Sequence, residues 1–194
     1  MDSCCEPLQV EVTEAEHQLA VHGFVALWSG QRPHPSDLDV DPAIIGTMQQ
    51  HGRIVLDRAG RITGIHGLSA QPTPHRITHA NQLIHTWCAL DAIGIPAALR
   101  LDAQATTTCP TCGRQLQVTF TNGEPVADGE LRLCLPSSPC DHLLNDICVH
   151  ANLYCNAQHL ADHAPPAGSA LTIPQAAAIG RATWNDAATA LTTW

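Results

Sequence analysis

The stretch HTWCALDAIGIPAAL, residues 85–99, is the part of the chain that we expect to organise the fold. If it is helical from about Trp87, Cys88 and Asp91 stand three residues apart and lie on one face of the helix. A carboxylate is costly to bury in such apolar surroundings unless it is paired, which makes this thiol and carboxyl group a candidate site. The functional interpretation is a nucleophile or soft-metal ligand beside a proton donor. The structural alternative is a buried cysteine next to an aspartate that starts a helix.

The composition favours one medium-sized domain, or one domain with a small appendage, and argues against polyanionic partners. The chain has 194 residues, a formal net charge of −9 and nine basic residues, all of them Arg. These arginines are scattered singly, whereas nucleic-acid binding usually needs a clustered basic patch. Anionic membrane surfaces also attract clustered basic residues. We therefore expect neither nucleic acid nor a membrane as a partner.

The distribution of apolar residues and cysteines indicates a cytoplasmic protein. The first residues show no basic segment followed by an apolar run, so no secretory signal is predicted. The longest apolar stretch, residues 88–99, is too short to span a bilayer. In the cytoplasm thiols stay reduced. An odd number of cysteines, nine, therefore indicates metal binding or catalysis rather than a disulfide framework.

Residues 1–70 are expected to form a winged-helix-like unit of three short helices and a hairpin. Thr13 and Glu16 have the form of a capping box, and Asp41 caps a later helix. Winged helices often bind DNA, but here the third helix carries no Arg and the region is acidic. We therefore predict a role in packing or in covering a substrate site. Helices are predicted over 13–29, 36–38 and 43–50, and a β-hairpin over 54–65.

A Pro-containing linker is predicted at 71–74. It opens residues 71–194, which we expect to form a catalytic region built on a mixed β-sheet core with flanking helices. The expected fold class is therefore α+β. Pro96 is expected to end or kink the helix that begins near Cys88. In the strand predicted over 146–155, Cys148, His150 and Asn152 would share one face. Strands are predicted over 98–108, 114–121, 130–135 and 146–155, a tight turn at 122–123, a loop over 159–170 and a final helix over 173–191.

The segment Cys109-Pro-Thr-Cys112 has the form of half a zinc site. A second CxxC at zinc-finger spacing does not follow, and Cys134 and Cys140 would complete four thiolates only with irregular spacing. A structural zinc at Cys109 and Cys112 is one interpretation. A turn between two strands that carries reduced, partly buried thiols is the other.

Cys88 and Cys148 differ from these thiols because each lies in a mostly apolar element, with Asp91 and His150 close by in sequence. If the helix and the strand bring the two thiolates together, they would make a linear or trigonal site for a soft, thiophilic metal.

The segment WCALDAIGIPAAL, residues 87–99, resembles the signature of the organomercurial (alkylmercury) lyases. In that family this segment carries the first catalytic cysteine and the catalytic aspartate, which correspond to Cys88 and Asp91. The segment ICVHANLYC is similar to the one that carries the second catalytic cysteine, which corresponds to Cys148, and the following histidine corresponds to His150. Cys109 occupies the place of a further family cysteine that is regarded as structural.

The resemblance extends over nearly the whole chain, with two departures. Val149 follows Cys148 where familiar family members have another cysteine, and the complete CPTC is more than the family needs. Neither departure removes a member of the set formed by Cys88, Asp91 and Cys148.

The resemblance implies protonolysis of a carbon–mercury bond. Cys88 and Cys148 would bind mercury as thiolates, and Asp91, also near the metal, would relay a proton to carbon. We expect the helix dipole to lower the pKa of Cys88, and apolar surroundings to raise that of Asp91. The products would be a hydrocarbon and bound Hg(II), with no cofactor required. Soluble thiols would accept the Hg(II), and a mercuric reductase is a further candidate acceptor.

Three alternatives remain at this point. The first is a non-catalytic, thiol-based protein that binds a soft metal. The second, a winged-helix metal-responsive regulator, is disfavoured by the acidic N-terminal region. The third is a relative with the lyase fold that acts on another substrate. The sequence leaves open whether Cys4, Cys5 or Cys155 helps to transfer mercury, and we expect His150 to pack rather than to order the site.

Overall fold

The computed structural model describes residues 12–38, 40–127, 129–137, 141–163 and 168–193. Of the cysteines considered above, Cys4, Cys5 and Cys140 lie outside the described residues.

The chain folds into six α-helices and eleven short strands within the described residues. The helices are α1 (Glu14–Trp28), α2 (Pro42–Gln50), α3 (Ala89–Ala98), α4 (Ala157–His163), α5 (Ile173–Thr183) and α6 (Asn185–Thr193). The strands are β1 (Ile54–Leu56), β2 (Ile62–Ile65), β3 (Leu68–Ser69), β4 (Arg76–His79), β5 (Gln82–Thr86), β6 (Ala103–Thr108), β7 (Gln115–Thr121), β8 (Glu124–Val126), β9 (Arg132–Pro136), β10 (Leu153–Tyr154) and β11 (Gly168–Leu171). A 3-10 turn (Pro35–Leu38) and a π-helix (Leu144–Cys148) complete the list.

The strands form two sheets, which confirms an α+β fold. The larger sheet has eight strands in the order β1-β2-β3-β5-β4-β6-β7-β8, and the smaller has the order β10-β9-β11. Every strand pair of the described residues is antiparallel, so the expected mixed sheet is wrong. Short turns join five of these pairs, β1–β2, β2–β3, β4–β5, β6–β7 and β7–β8, and such turns produce antiparallel neighbours. The larger sheet continues through the segment 71–74, and the division into 1–70 and 71–194 stays a prediction.

The N-terminal elements lie where the sequence predicts them. The capping box of Thr13 and Glu16 begins α1, and Asp41 caps α2. The β1–β2 hairpin is also confirmed. Helix α1 packs closely on β2, because a Cβ added to Gly23 would lie 2.7 Å from Ile65 Cδ1. The comparison of this unit with a winged helix stays a prediction.

Helix α3 lies at the centre of the main core, and its residues from Ala89 to Ala97 are buried. It crosses α5 at two glycines: a Cβ on Gly180 would lie 2.1 Å from Gly94 Cα. This close backbone approach fixes the position of α3, since any larger residue at the crossing would push the helices apart. Pro96 does not end the helix, which continues to Ala98; strand β6 accordingly begins later than expected.

Three predictions in the second region are wrong. Residues 144–148 form a π-helix, and only Leu153–Tyr154 is a strand, so the expected strand over 146–155 is absent from the described residues. The side chain of Asp146 accepts backbone N–H bonds from Asp141 and His142 at 3.0 and 2.7 Å, which favours a helical turn here. The expected loop over 159–170 contains parts of α4 and β11, and the final helix is divided at Trp184. The tight turn at Asn122 is confirmed.

Candidate active site

Cys88 lies at the junction of β5 and α3, as the N-cap residue of the helix. Its backbone N–H donates a hydrogen bond of 2.9 Å to Oδ2 of Asp91, in the first turn. The Thr86 hydroxyl donates to the Cys88 carbonyl oxygen at 3.1 Å. These bonds hold the thiol and the carboxyl group at the start of α3, where Cys88 is only 2% and Asp91 only 6% exposed.

Cys148 reaches the same place from the end of the π-helix. The backbone N–H of Ala89 donates to the Ala151 carbonyl oxygen at 3.0 Å, so the two segments that carry the thiols are joined directly. One ligand atom from each of Cys88, Asp91 and Cys148 lies within 4.8 Å of the other two, and all three residues are buried. The structure therefore brings together the three residues that the sequence singled out.

Burial dominates the electrostatics of this cluster. It raises the pKa of the Asp91 carboxyl group to about 7, against the opposing effect of hydrogen bonds from Cys88 and Trp87. Burial, the hydrogen bond with Cys148 and the nearby Asp91 raise the pKa of Cys88 well above its usual value. The expectation that the helix dipole lowers the pKa of Cys88 is wrong, because the cost of burying a thiolate is larger. The thiol of Cys88 therefore holds its proton near neutrality.

A glycine and a tryptophan, neither of which the sequence singled out, cover the carboxyl group. Gly67 lies in the left-handed region, at φ +88°, and a Cβ there would lie 3.0 Å from Asp91 Cγ. The same Cβ would lie 3.1 Å from the Trp184 ring, whose Nε1 donates to the His66 carbonyl oxygen at 2.9 Å. Glycine thus allows the β2–β3 turn to approach Asp91 closely. The only sequence signal at this position is the glycine after His66, and a glycine there predicts a turn rather than a contact with Asp91.

A cavity of about 200 Å³ lies between the N-terminal helices and the residues that precede Cys88 and Gly67. Its wall includes Trp87, which precedes Cys88, and His66, which precedes Gly67. The His66 Nε2 is buried without a hydrogen-bond partner among the described residues. Burial, with a smaller effect of nearby His17, lowers the pKa of His66 to about 4, so this imidazole is neutral near pH 7. Further lining residues are Ala20, Met48 and Leu143.

A second thiol cluster forms around the CxxC turn. Cys109 and Cys112 meet Cys155 and His159, and the four ligand atoms lie within 4.8 Å of one another. Burial raises the pKa of Cys109, but hydrogen bonds from the backbone of Cys155 and Cys112 and from the His159 ring bring it to about 6. The sequence alone does not identify His159 as a partner of these cysteines, because no second motif follows at zinc-site spacing.

The remaining predicted residues lie outside both clusters. Cys134, on β9, is buried but belongs to neither cluster among the described residues. His150 is exposed, so the expectation that it packs is wrong. Within the described residues, no helix combines the length and the apolarity that crossing a membrane requires.

Comparison with known proteins confirms the resemblance seen in residues 87–99. Residues 68–185 match the family model of MerB, alkylmercury lyase. The alkylmercury lyase of Streptomyces lividans is 32% identical over 133 residues, 64% of this chain and 60% of that protein. The alkylmercury lyase of Pseudomonas putida is 30% identical over 134 residues, 66% of this chain and 57% of that protein. The matches thus span less than two-thirds of the length of these relatives.

The fold also has a solved counterpart. The crystal structure of the mercury-bound form of MerB2 superposes with a TM-score of 0.81 and covers 92% of this chain and 93% of that one. At 18% sequence identity, this likeness concerns the fold.

Proposed function

This chain belongs to the alkylmercury lyase family, and we propose that it is an organomercurial lyase that cleaves carbon–mercury bonds by protonolysis. The observation that carries the proposal is the buried cluster of Cys88, Asp91 and Cys148, whose ligand atoms lie within 4.8 Å of one another. A soft metal prefers thiolate ligands, and a carboxyl group with a pKa of about 7 can both accept and donate a proton near neutrality.

In the first step, the sulfur of one thiol forms a bond to mercury and displaces the ligand opposite the organic group. The thiol proton leaves with that ligand. Because the pKa of Cys88 is raised well above its usual value, Cys88 gives up its proton only when the metal takes its place. Metal binding and deprotonation of a thiol are coupled in this way at soft-metal sites generally.

In the second step, the other thiol transfers its proton to the Asp91 carboxylate and its sulfur joins the mercury. Two thiolates donate electron density to the metal and polarise the carbon–mercury bond. Protonated Asp91 then delivers the proton to carbon as that bond breaks, so that its electron pair goes to the new carbon–hydrogen bond. The products are a hydrocarbon and Hg(II) held by Cys88 and Cys148, with Asp91 again ionised.

Release of Hg(II) needs an acceptor, since two buried thiolates hold the metal tightly. Two molecules of a soluble thiol would exchange with Cys88 and Cys148, and the cysteines would regain their protons. Such thiols are abundant in the cytoplasm, where we place the protein. A mercuric reductase is a further candidate acceptor, and the cleavage step itself requires no added cofactor.

We assign the cavity beside Trp87 and His66 to the organic group of the substrate. Trp87 and His66 link its wall to Cys88 and to the turn that covers Asp91. Residues of α1 and α2 form the opposite wall, which gives the winged-helix-like unit of residues 1–70 the role of a cover over the catalytic region 71–194. The wall also includes the charged Glu16 and Arg53, but most of its exposed surface is apolar, which suits an alkyl or aryl group whose transfer from water is favourable.

The decisive experiment measures hydrocarbon in the headspace over the protein, methylmercury and excess thiol. We expect the wild type to release methane, and Cys88→Ser, Cys148→Ser and Asp91→Ala to lose at least ~100-fold in rate. The matched control is Cys134→Ser, a buried cysteine outside both clusters. If the wild type releases no more methane than a protein-free mixture, the lyase proposal is wrong. Wild-type activity in Cys148→Ser would refute the two-thiolate mechanism.

A further inference from the structure

The second thiol cluster is assembled from three parts of the fold. Cys109 and Cys112 belong to the turn between β6 and β7, Cys155 follows β10, and His159 lies in α4. Cys109 and Cys155 are buried, whereas Cys112 is exposed. The proposed lyase reaction uses none of these residues, so the cluster needs its own explanation.

Two distances in this cluster match the edges of a tetrahedral zinc site. With bonds of about 2.3 Å to sulfur and about 2.05 Å to nitrogen, tetrahedral zinc separates two sulfurs by about 3.8 Å and a sulfur from a nitrogen by about 3.6 Å. Cys112 Sγ and Cys155 Sγ are 3.5 Å apart. Cys109 Sγ and His159 Nδ1 are 3.6 Å apart. All remaining separations between the ligand atoms are at most 4.8 Å.

The protein fixes these positions through bonds that do not involve the ligand atoms. Gly113, at φ +73°, donates its N–H to the Cys109 carbonyl oxygen at 2.9 Å, which closes the CxxC turn. The Thr111 hydroxyl donates to the His159 carbonyl oxygen at 2.8 Å. The Asn156 side chain accepts the His159 N–H at 2.9 Å. The turn and α4 are therefore held together with the ligand atoms already converged.

We propose that Cys109, Cys112, Cys155 and His159 bind one structural zinc ion. Four protein ligands of this type leave no coordination position open, which is typical of structural rather than catalytic zinc. The ion would join the β6–β7 turn to the segment that follows β10. That segment begins seven residues after Cys148, so the zinc would stabilise the part of the chain that carries the second thiol of the candidate active site.

A disulfide between Cys112 and Cys155 is the competing interpretation. Their sulfurs, at 3.5 Å, are farther apart than the ~2.05 Å of a disulfide bond. A disulfide would also leave Cys109 and His159 without a role, although both point into the same cluster. Zinc accounts for all four residues.

The test measures zinc bound to the full chain after equilibration with excess zinc and a reductant and removal of free metal. The chain carries Cys88→Ser and Cys148→Ser, so that these thiols do not contribute. We expect close to one zinc per chain by mass spectrometry of the metal, and at least ~10-fold less after Cys112→Ser or Cys155→Ser is added. Adding Cys134→Ser instead, a cysteine outside the cluster, should leave the zinc content unchanged.

Cobalt gives a second readout that does not depend on the loss of metal from a variant. Co(II) bound to the chain that carries Cys88→Ser and Cys148→Ser alone should show thiolate-to-cobalt charge transfer and the intense visible bands of tetrahedral coordination. His159→Cys should retain the metal, with stronger charge transfer from a fourth thiolate. Absence of both zinc and the cobalt spectrum overturns the proposal, as does full zinc content in Cys112→Ser and Cys155→Ser. A Cys112–Cys155 disulfide under reducing conditions overturns it too. None of these outcomes bears on methane release.

Discussion

The raised pKa of Asp91 predicts that replacing this residue by Asn stabilises the protein increasingly as pH rises. The folded protein binds the Asp91 proton with a pKa of about 7, compared with 3.8 for an unperturbed side chain. Protonation of Asp91 therefore stabilises the folded state, and this stabilisation is complete below the pKa that Asp91 has in the unfolded chain. This contribution is lost as pH rises through the folded pKa, because the carboxylate must then be buried as an anion. Asn resembles the neutral acid in shape and avoids this loss.

The size of the effect follows from the shift in pKa. A difference of three pKa units, at 1.36 kcal/mol per unit, corresponds to about 4 kcal/mol of unfolding free energy. Because domains of this kind are stable by only about 5–15 kcal/mol, a change of this size is easily measured. The Asn side chain can still accept the N–H bond from Cys88, so the start of α3 should be preserved.

Two buried histidines act in the opposite direction over part of the same pH range. Burial lowers the pKa values of His66 and His75 from 6.5 to about 4. The unfolded chain binds these protons more tightly, so each histidine adds stability as pH rises from about 4 to 6.5. The pH profile of the wild type alone therefore mixes both effects, and only its difference from Asp91→Asn isolates the carboxyl group.

The assay is equilibrium unfolding by urea under reducing conditions at about pH 4 and about pH 8. The stability of Asp91→Asn relative to the wild type should increase by about 4 kcal/mol between the two conditions. Asp162→Asn, on an exposed part of α4, controls for the loss of one charge. A wild-type-to-Asn difference that stays constant with pH would show that Asp91 titrates alike in the folded and unfolded chains, and would refute the argument.

Two further predictions concern the surroundings of the cluster. Gly67→Ala should slow methane release by at least ~10-fold, because the new Cβ would lie 3.0 Å from Asp91 Cγ. The control is Gly129→Ala, which is also at positive φ but has nothing within 4 Å. It should incur the backbone strain alone and retain wild-type activity. Equal rates for the two variants would contradict this. Ala20→Phe should fill the cavity beside Trp87 and His66, and so raise KM for methylmercury without a matching fall in kcat. Ala26→Phe, on the same helix but outside this cavity, should leave KM unchanged. An unchanged KM in Ala20→Phe would remove the cavity from the substrate path.

The sequence predicts the local elements well where a short-range signal decides them. The capping box at Thr13 and the Asp41 cap each depend on hydrogen bonds within a few residues, and the Asn122 turn depends on two residues that adopt positive φ; each prediction is confirmed. The position of Cys88 near the start of a helix is of the same kind. The family match likewise confirms what residues 87–99 indicate.

The predictions fail where distant contacts override the local pattern. Alternation around Cys148 resembles a strand, but the hydrogen bonds that the Asp146 side chain accepts and the bond between Ala89 and Ala151 place this thiol on a helical turn. The pKa of Cys88 depends on complete burial, which a helix-start argument ignores. The pattern of local residues does not record which distant segments meet, and the same limit concealed the contact of His159 with the CxxC turn.

The two cysteine clusters show how the last ligand determines what a thiol site can do. Cys109, Cys112, Cys155 and His159 offer four permanent donors, so a tetrahedral ion there would have no position left for a substrate. The buried cluster has two thiols and a carboxyl group whose pKa is about 7. In the proposed reaction two thiolates hold the soft metal, and Asp91 carries a proton instead of serving as a permanent ligand. In that reaction, the Asp91 carboxylate takes the proton of the second thiol when that sulfur joins mercury, and then delivers this proton to carbon.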